Sequence, residues 1–157
     1  MPEDPRIRVT VHADGAARGN PGPAGIGAVI RGSRGRVLAE VAEGIGVATN
    51  NVAEYRAVLE GLRRARDLGA TQVNVRSDSR LLVEQLSGRF RVKNPTLVRL
   101  HAEVRSVMRA FEQVLFEHVP REFNRDADRL ANRGVEQWLA GPGRDYHQPE
   151  PAPDLFG

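Results

Sequence analysis

Hydrophobic and polar positions change period twice along the chain. Ile7, Val9, Val11 and Ala13 alternate with Arg8, Thr10, His12 and Asp14, a period of two that predicts a strand. The Gly/Pro-rich stretch from Gly15 to Gly25 predicts a turn, and Ile26–Ile30 a second strand. Gly32-Ser33-Arg34-Gly35 predicts another turn before a third strand over Arg36–Gly46. Strands joined this closely form an antiparallel meander. From residue 51 the period becomes helical. Ala57, Val58, Leu62 and Ala65 make one stripe, Thr49-Asn50-Asn51 offers caps, and Gly69 offers a stop. Next come a strand over Val73–Asp78, a short helix over Ser79–Leu86 and a helix from Pro95 to about Gln113. A strand over Val114–Val119 and a helix over Asn124–Leu139 complete the order βββαβααβα. The expected fold class is α/β: a mixed five-stranded sheet, its first three strands antiparallel, covered by helices.

Composition narrows the function classes. The 157 residues include no cysteine, which excludes disulfides, thiolate nucleophiles and cysteine-ligated zinc. No apolar run approaches the roughly 20 residues that cross a bilayer, so no membrane association is expected. The first residues are polar and acidic, unlike a signal peptide. The expectation is one cytoplasmic domain over residues 6–140, acting as a monomer with no required protein partner. Residues 1–5 and the Pro-rich tail 141–157 are expected to be loose. The net charge is +3, and of 23 basic residues only Lys93 is lysine. Arginine in that proportion suits phosphate contact, although a merely solvated basic surface fits the charge as well.

Four of the 20 acidic residues sit where a solvated carboxylate has no reason to be. Asp14 and Asp78 each end a predicted strand with parity opposite to its valines, at the edge where α/β sheets gather their ligands. Glu54 shares a helical face with Ala57, Val58 and Gly61, whereas Glu60 neighbours Arg56, Arg63 and Arg64. Asp128 shares a face with Ala131 and Val135, whereas Asp126 neighbours Arg129 and Arg133. Turn formation or helix capping accounts for any one of the four. Four together, on four elements at one end of a sheet, repel unless cations relieve them. Hard divalent ions with oxygen ligands do so, and a pair of them suits phosphodiester cleavage.

The motifs around these carboxylates carry a family resemblance. They are Val11-His12-Ala13-Asp14-Gly15-Ala16-Ala17-Arg18-Gly19-Asn20-Pro21-Gly22-Pro23-Ala24-Gly25, Thr49-Asn50-Asn51-Val52-Ala53-Glu54, Ser77-Asp78-Ser79 and Asn124-Arg125-Asp126-Ala127-Asp128-Arg129-Leu130-Ala131. In this order, over residues 6–140, the chain resembles a type 1 ribonuclease H. The resemblance implies hydrolysis of the RNA strand of an RNA/DNA hybrid with Mg²⁺ or Mn²⁺, two ions per site, leaving 5′-phosphate and 3′-hydroxyl ends. It assigns Asp14, Glu54, Asp78 and Asp128 as catalytic metal ligands. It also implies substrate contacts from the Gly15–Ala16 backbone, Asn20, Asn50, Asn51 and Ser79. The small residues Gly15 and Ala16 suit close approach to the wide, shallow minor groove of a hybrid. Turn and cap duty is the simpler reading of the asparagines.

Two departures from the family stand out. Where some members insert a basic protrusion, Ser87–Pro95 is short and holds only Arg89, Arg91 and Lys93, which implies more salt-sensitive binding. Where many members carry a loop histidine, this chain has Pro120-Arg121-Glu122-Phe123-Asn124. Arg121 is expected to fill that place at the scissile phosphate; His118, just before the loop, takes it in an ungapped match and is structural in a gapped one, and His12 is expected to be structural. Two other classes remain open: a hybrid- or double-stranded-RNA-binding module with weak or absent nuclease activity, and DNA strand transfer or junction work, which the ribose-reading residues disfavour.

Overall fold

Val9, Val11 and Ala13 turn to one face of strand β1 (Arg8–Ala17) and are buried there against helix α1 (Asn50–Asp67). A computed structural model describes residues 7–149. Strands β2 (Gly22–Arg31) and β3 (Val37–Ala48) complete the antiparallel meander. After α1 come β4 (Gln72–Ser77), α2 (Arg80–Leu86), α3 (Pro95–Met108), β5 (Gln113–His118) and α4 (Arg125–Ala140). The sheet order is β3-β2-β1-β4-β5, as the sequence predicts for a mixed five-stranded sheet. No helix among the described residues is long and apolar enough to cross a membrane.

β1 pairs antiparallel with β2 and parallel with β4, so the direction of the sheet changes at its centre. The parallel ladder ends with His12 opposite Arg76. Continuing its register by two residues sets Asp14 level with Asp78, just where the strands part. This is the crevice in which open α/β sheets place their ligands.

The two helical layers differ. On one face α1, α2 and α3 cover a core built from Val11, Ile26, Ile30, Tyr55, Leu62, Val75 and Leu82. On the other face α4 lies directly on β2 and β3. At Gly27 a Cβ would overlap the Ala127 carbonyl oxygen, and at Gly25 the Ala131 carbonyl oxygen. Every residue of β2 from Gly22 to Ile30 is buried, because both faces of that strand are covered. Gly27→Ala is therefore expected to destabilise the fold by about 1–3 kcal/mol, the usual cost of overpacking. A denaturant or thermal melt reads this directly, and an unshifted melt would mean that α4 stands off the sheet.

The structure corrects several sequence expectations. Gly15–Gly25 is not one turn: β1 continues through Ala17, β2 begins at Gly22, and only residues 18–21 connect them. Arg18 N–H donates to the Pro23 carbonyl across that connection at 2.8 Å. The small residues that resemble turn formers are there so that helices can approach. Asp14 therefore lies within β1 rather than at its end. Helix α3 stops at Met108 instead of Gln113. The apolar stripe of Val104, Val107 and Phe111 continues past the helix, because i→i+3 turns through Ala110 still deliver Phe111 to the core. The first residues assigned to the tail turn back on α4. Gly143 N–H donates to the Trp138 carbonyl at 2.7 Å, and the Tyr146 ring lies 6.0 Å from that of Trp138. Residues 1–5 and the rest of the expected tail, 150–157, lie outside the described residues.

Candidate active site

Asp14, Glu54, Asp78 and Asp128 line one open cleft of about 810 Å³. Local chemistry places each of them. Asp14 is held within β1 by its pairing opposite Gly27. Glu54 lies in the first turns of α1, whose start is set by the Thr49 hydroxyl accepting from Val52 N–H at 3.2 Å. Asp78 follows the last residue of β4, just before Ser79 caps α2 by accepting from Leu82 N–H at 3.3 Å. Asp128 lies in the first turn of α4, where a negative charge is favoured by the helix dipole. Glu54 thus arrives with the helix on one face of the sheet, and Asp128 with the helix on the other.

The electrostatics are those of crowded like charges. Asp14 is only 6% exposed, and its carboxyl is pushed up to about 8 by burial first, then by Asp78, Asp128 and Glu54. Glu54 is also raised, mainly by burial and further by Asp78, while the Ser79 hydroxyl works in the opposite direction. Among the described residues no three acidic or histidine groups close into a finished metal cage. The donors instead form an all-oxygen set around open space. An all-oxygen donor set is the kind that hard divalent cations take.

Sequence comparisons within each helix pick the carboxylates that line the cleft. Glu60 pairs with Arg63 at 2.6 Å on the surface of α1. Asp126 points away from the cleft to Arg31, at 2.6 Å, and to Arg129. Asp126→Asn should leave cleavage unchanged and cost no more than about 1 kcal/mol of stability, because its ion pairs are exposed. Kinetics and a melt on that variant check the assignment, and a large loss of cleavage would mean that Asp126 had been wrongly set aside.

The other expected site residues divide. Gly15, Ala16, Asn20, Asn50, Asn51 and Arg121 all line the cleft. Thr49 caps α1, which leaves the exposed Asn50 and Asn51 side chains free of that duty. The Asn20 Oδ1 accepts from Asn50 N–H at 3.1 Å, tying the β1–β2 turn to the start of α1. Ser79 is outside the residues that line the cleft, and its hydroxyl caps α2. Gly15 is small for a reason besides substrate approach: a Cβ there would overlap the backbone of Ala53 and Glu54. His118 is the last residue of β5, as its sequence position suggests, yet it is exposed and joins the cleft wall beside Arg121. Its pairing opposite Ser77, one residue before Asp78, explains that placement. His12 is structural: Arg31 donates toward its Nδ1 at 3.3 Å, and burial with Arg31 and Arg76 lowers its pKa. Sequence reasoning passed over Asn132, whose Nδ2 donates to the Asp128 carboxylate at 3.3 Å. Its i+4 spacing from Asp128 is the signal that could have revealed it.

Comparison with known proteins agrees with this architecture. A family model described as reverse transcriptase-like matches residues 12–134. The bifunctional protein Rv2228c of Mycobacterium tuberculosis is 49% identical over 131 residues, covering 83% of this chain and 36% of that protein. Ribonuclease HI of Halobacterium salinarum is 41% identical over 129 residues, covering 82% of this chain and 65% of that protein. The chain thus spans about a third of the one relative and just under two thirds of the other. Among solved structures, the N-terminal RNase H domain of Rv2228c superposes with a TM-score of 0.80 at 50% identity, covering 82% of this chain and 98% of that one. The compost-derived LC11-RNase H1, solved in complex with an RNA/DNA hybrid, gives a TM-score of 0.80 at 40% identity, covering 83% and 99% of the two chains. A family match over most of the chain, joined to this fold and these relatives, means that the chain belongs to the type 1 ribonuclease H family.

Proposed function

We propose that this chain is an endonuclease that hydrolyses the RNA strand of RNA/DNA hybrids. The observation that carries the reading is the gathering of four carboxylates from four elements into one cleft, with Asp14 buried among the others and raised to about 8. Such a cluster is costly in the free protein and gains its purpose when cations and a phosphodiester enter. Hybrid binding by LC11-RNase H1 and the name of the Halobacterium relative support the substrate class.

The roles of the residues follow from their chemistry. Asp14, Glu54, Asp78 and Asp128 would hold Mg²⁺ or Mn²⁺, two ions in this reading, which would supply charge neutralisation at the phosphate and a more acidic attacking water. The water oxygen bonds to phosphorus, the bond from phosphorus to the ribose 3′ oxygen breaks, and that oxygen takes up a proton. The products are a 5′-phosphate and a 3′-hydroxyl. The Gly15–Ala16 backbone and the amides of Asn20, Asn50 and Asn51 meet the minor groove, where 2′-hydroxyls distinguish RNA from DNA. Arg121 contributes a guanidinium for the scissile phosphate. Ser79 contacts the backbone of the hybrid beside Asp78. Residues 6–140 form the catalytic unit. We place it in the cytoplasm as a monomer, which its cysteine-free composition suits.

A 5′-labelled hybrid incubated with Mg²⁺ or Mn²⁺ tests the proposal. Cleavage confined to the RNA strand and lost in Asp14→Asn is the expected result. Binding without cleavage in either metal would instead leave a hybrid-binding module.

A further inference from the structure

We propose that Asn124 is a positioning residue that holds Asp128 in register with Asp14. The inference rests on the hydrolase reading above for its purpose, but its geometry stands independently. Asn124 is 1% exposed, at the junction between the Arg121–Phe123 turn and α4. Its Nδ2 donates to the Ala13 carbonyl at 3.0 Å, one residue before Asp14. A carbonyl only accepts, so the orientation of the amide is settled by this bond. Its own carbonyl accepts from Asp128 N–H at 3.1 Å, and its N–H donates to the Arg121 carbonyl at 2.9 Å. One residue therefore ties the backbone beside Asp14 to the helical turn that carries Asp128, and to the turn that brings Arg121 to the cleft.

Two observations exclude a simpler explanation. An asparagine before a helix ordinarily caps it, yet the Asn124 side chain makes no capping bond to α4. Its Oδ1 is buried and has no partner among the described residues. An orphaned buried acceptor works against folding, so packing alone favours an apolar residue of similar size. What the amide supplies, and leucine cannot, is the N–H to Ala13.

The test compares Asn124→Leu and Asn124→Ser with the wild-type full chain. Leucine keeps the volume, and serine gives a smaller alternative; neither reaches the Ala13 carbonyl with a donor as the amide does. Folding is read by circular dichroism and thermal melts without metal, Mn²⁺ affinity by calorimetry, and kcat and KM on a labelled hybrid. The expected result is a folded variant with unchanged KM, kcat lowered about tenfold or more and correspondingly weaker Mn²⁺ binding, the scale usual for residues that orient metal ligands. Wild-type kcat and Mn²⁺ affinity in a folded variant would overturn the proposal. So would losses that follow only the unfolded fraction, or failure of both variants to fold, since either makes Asn124 structural. If the wild type itself cleaves no hybrid, the hydrolase reading fails alone, and the Mn²⁺ comparison still decides the role of Asn124.

Discussion

Asp14→Asn is expected to lower hybrid cleavage by at least about a thousandfold, some 4 kcal/mol at 1.4 per factor of ten, while raising the melting temperature of the metal-free protein near neutral pH. Both effects come from one cause. The Asp14 carboxyl is raised from 3.8 to about 8 by burial and by Asp78, Asp128 and Glu54. Between those two values the folded protein holds a proton that the unfolded chain has released, so wild-type stability falls as pH rises through this window. Below the ordinary carboxyl range both states are protonated and the penalty vanishes. Asparagine carries no charge at any pH and escapes it. Each pKa unit is worth about 1.4 kcal/mol. Even part of the shift gives a stabilisation on the order of 2 kcal/mol, or several degrees for a chain of this size. Melts of wild type and variant in a chelator, at pH 4 and at pH 7.5, check the sign. The variant should gain at the higher pH and converge with wild type at the lower. Parallel curves at both values would show that Asp14 is not under electrostatic stress.

Gly15→Ala is expected to cost about a hundredfold in kcat although it adds one methyl group and removes no polar atom. The new Cβ would overlap the backbone of Ala53 and Glu54. Neither neighbour can yield as a flexible side chain would, so the first turn of α1 must move and carry Glu54 away from Asp78. A displacement of about 1 Å at a catalytic group is enough for a loss of that size. Stability should fall with it by about 1–3 kcal/mol. Rates measured well below the variant's melting temperature separate the two effects. Unchanged kcat in a destabilised but folded variant would mean that α1 relaxes without shifting Glu54.

Local pattern carried most of the architecture. The period-two run in β1, the stripe of Ala57, Val58, Leu62 and Ala65 in α1, and the Thr49 and Ser79 caps each follow from interactions within a few residues. For the same reason, comparing Glu54 with Glu60 and Asp128 with Asp126 on their own helices sufficed to pick the cleft-facing acid of each pair. Where a residue answers to a distant neighbour, local pattern misleads. Gly25 reads as a turn former because its actual demand, room for the backbone of α4, comes from a segment a hundred residues later. Phe111 read as the continuation of α3 because a tightened turn buries it as well as a helix would. The place of His118 in the cleft wall follows from its pairing opposite Ser77, which no local pattern reveals.

By itself, then, the sequence determined the order of the elements, the four acids and the family they indicate, because periodicity, capping and motif spacing are properties of neighbours along the chain. Only the tertiary structure decided that Gly15 makes room for α1 and that Asn124 ties β1 to α4. Those facts depend on hydrogen bonds and overlaps between segments that meet only after the sheet has closed.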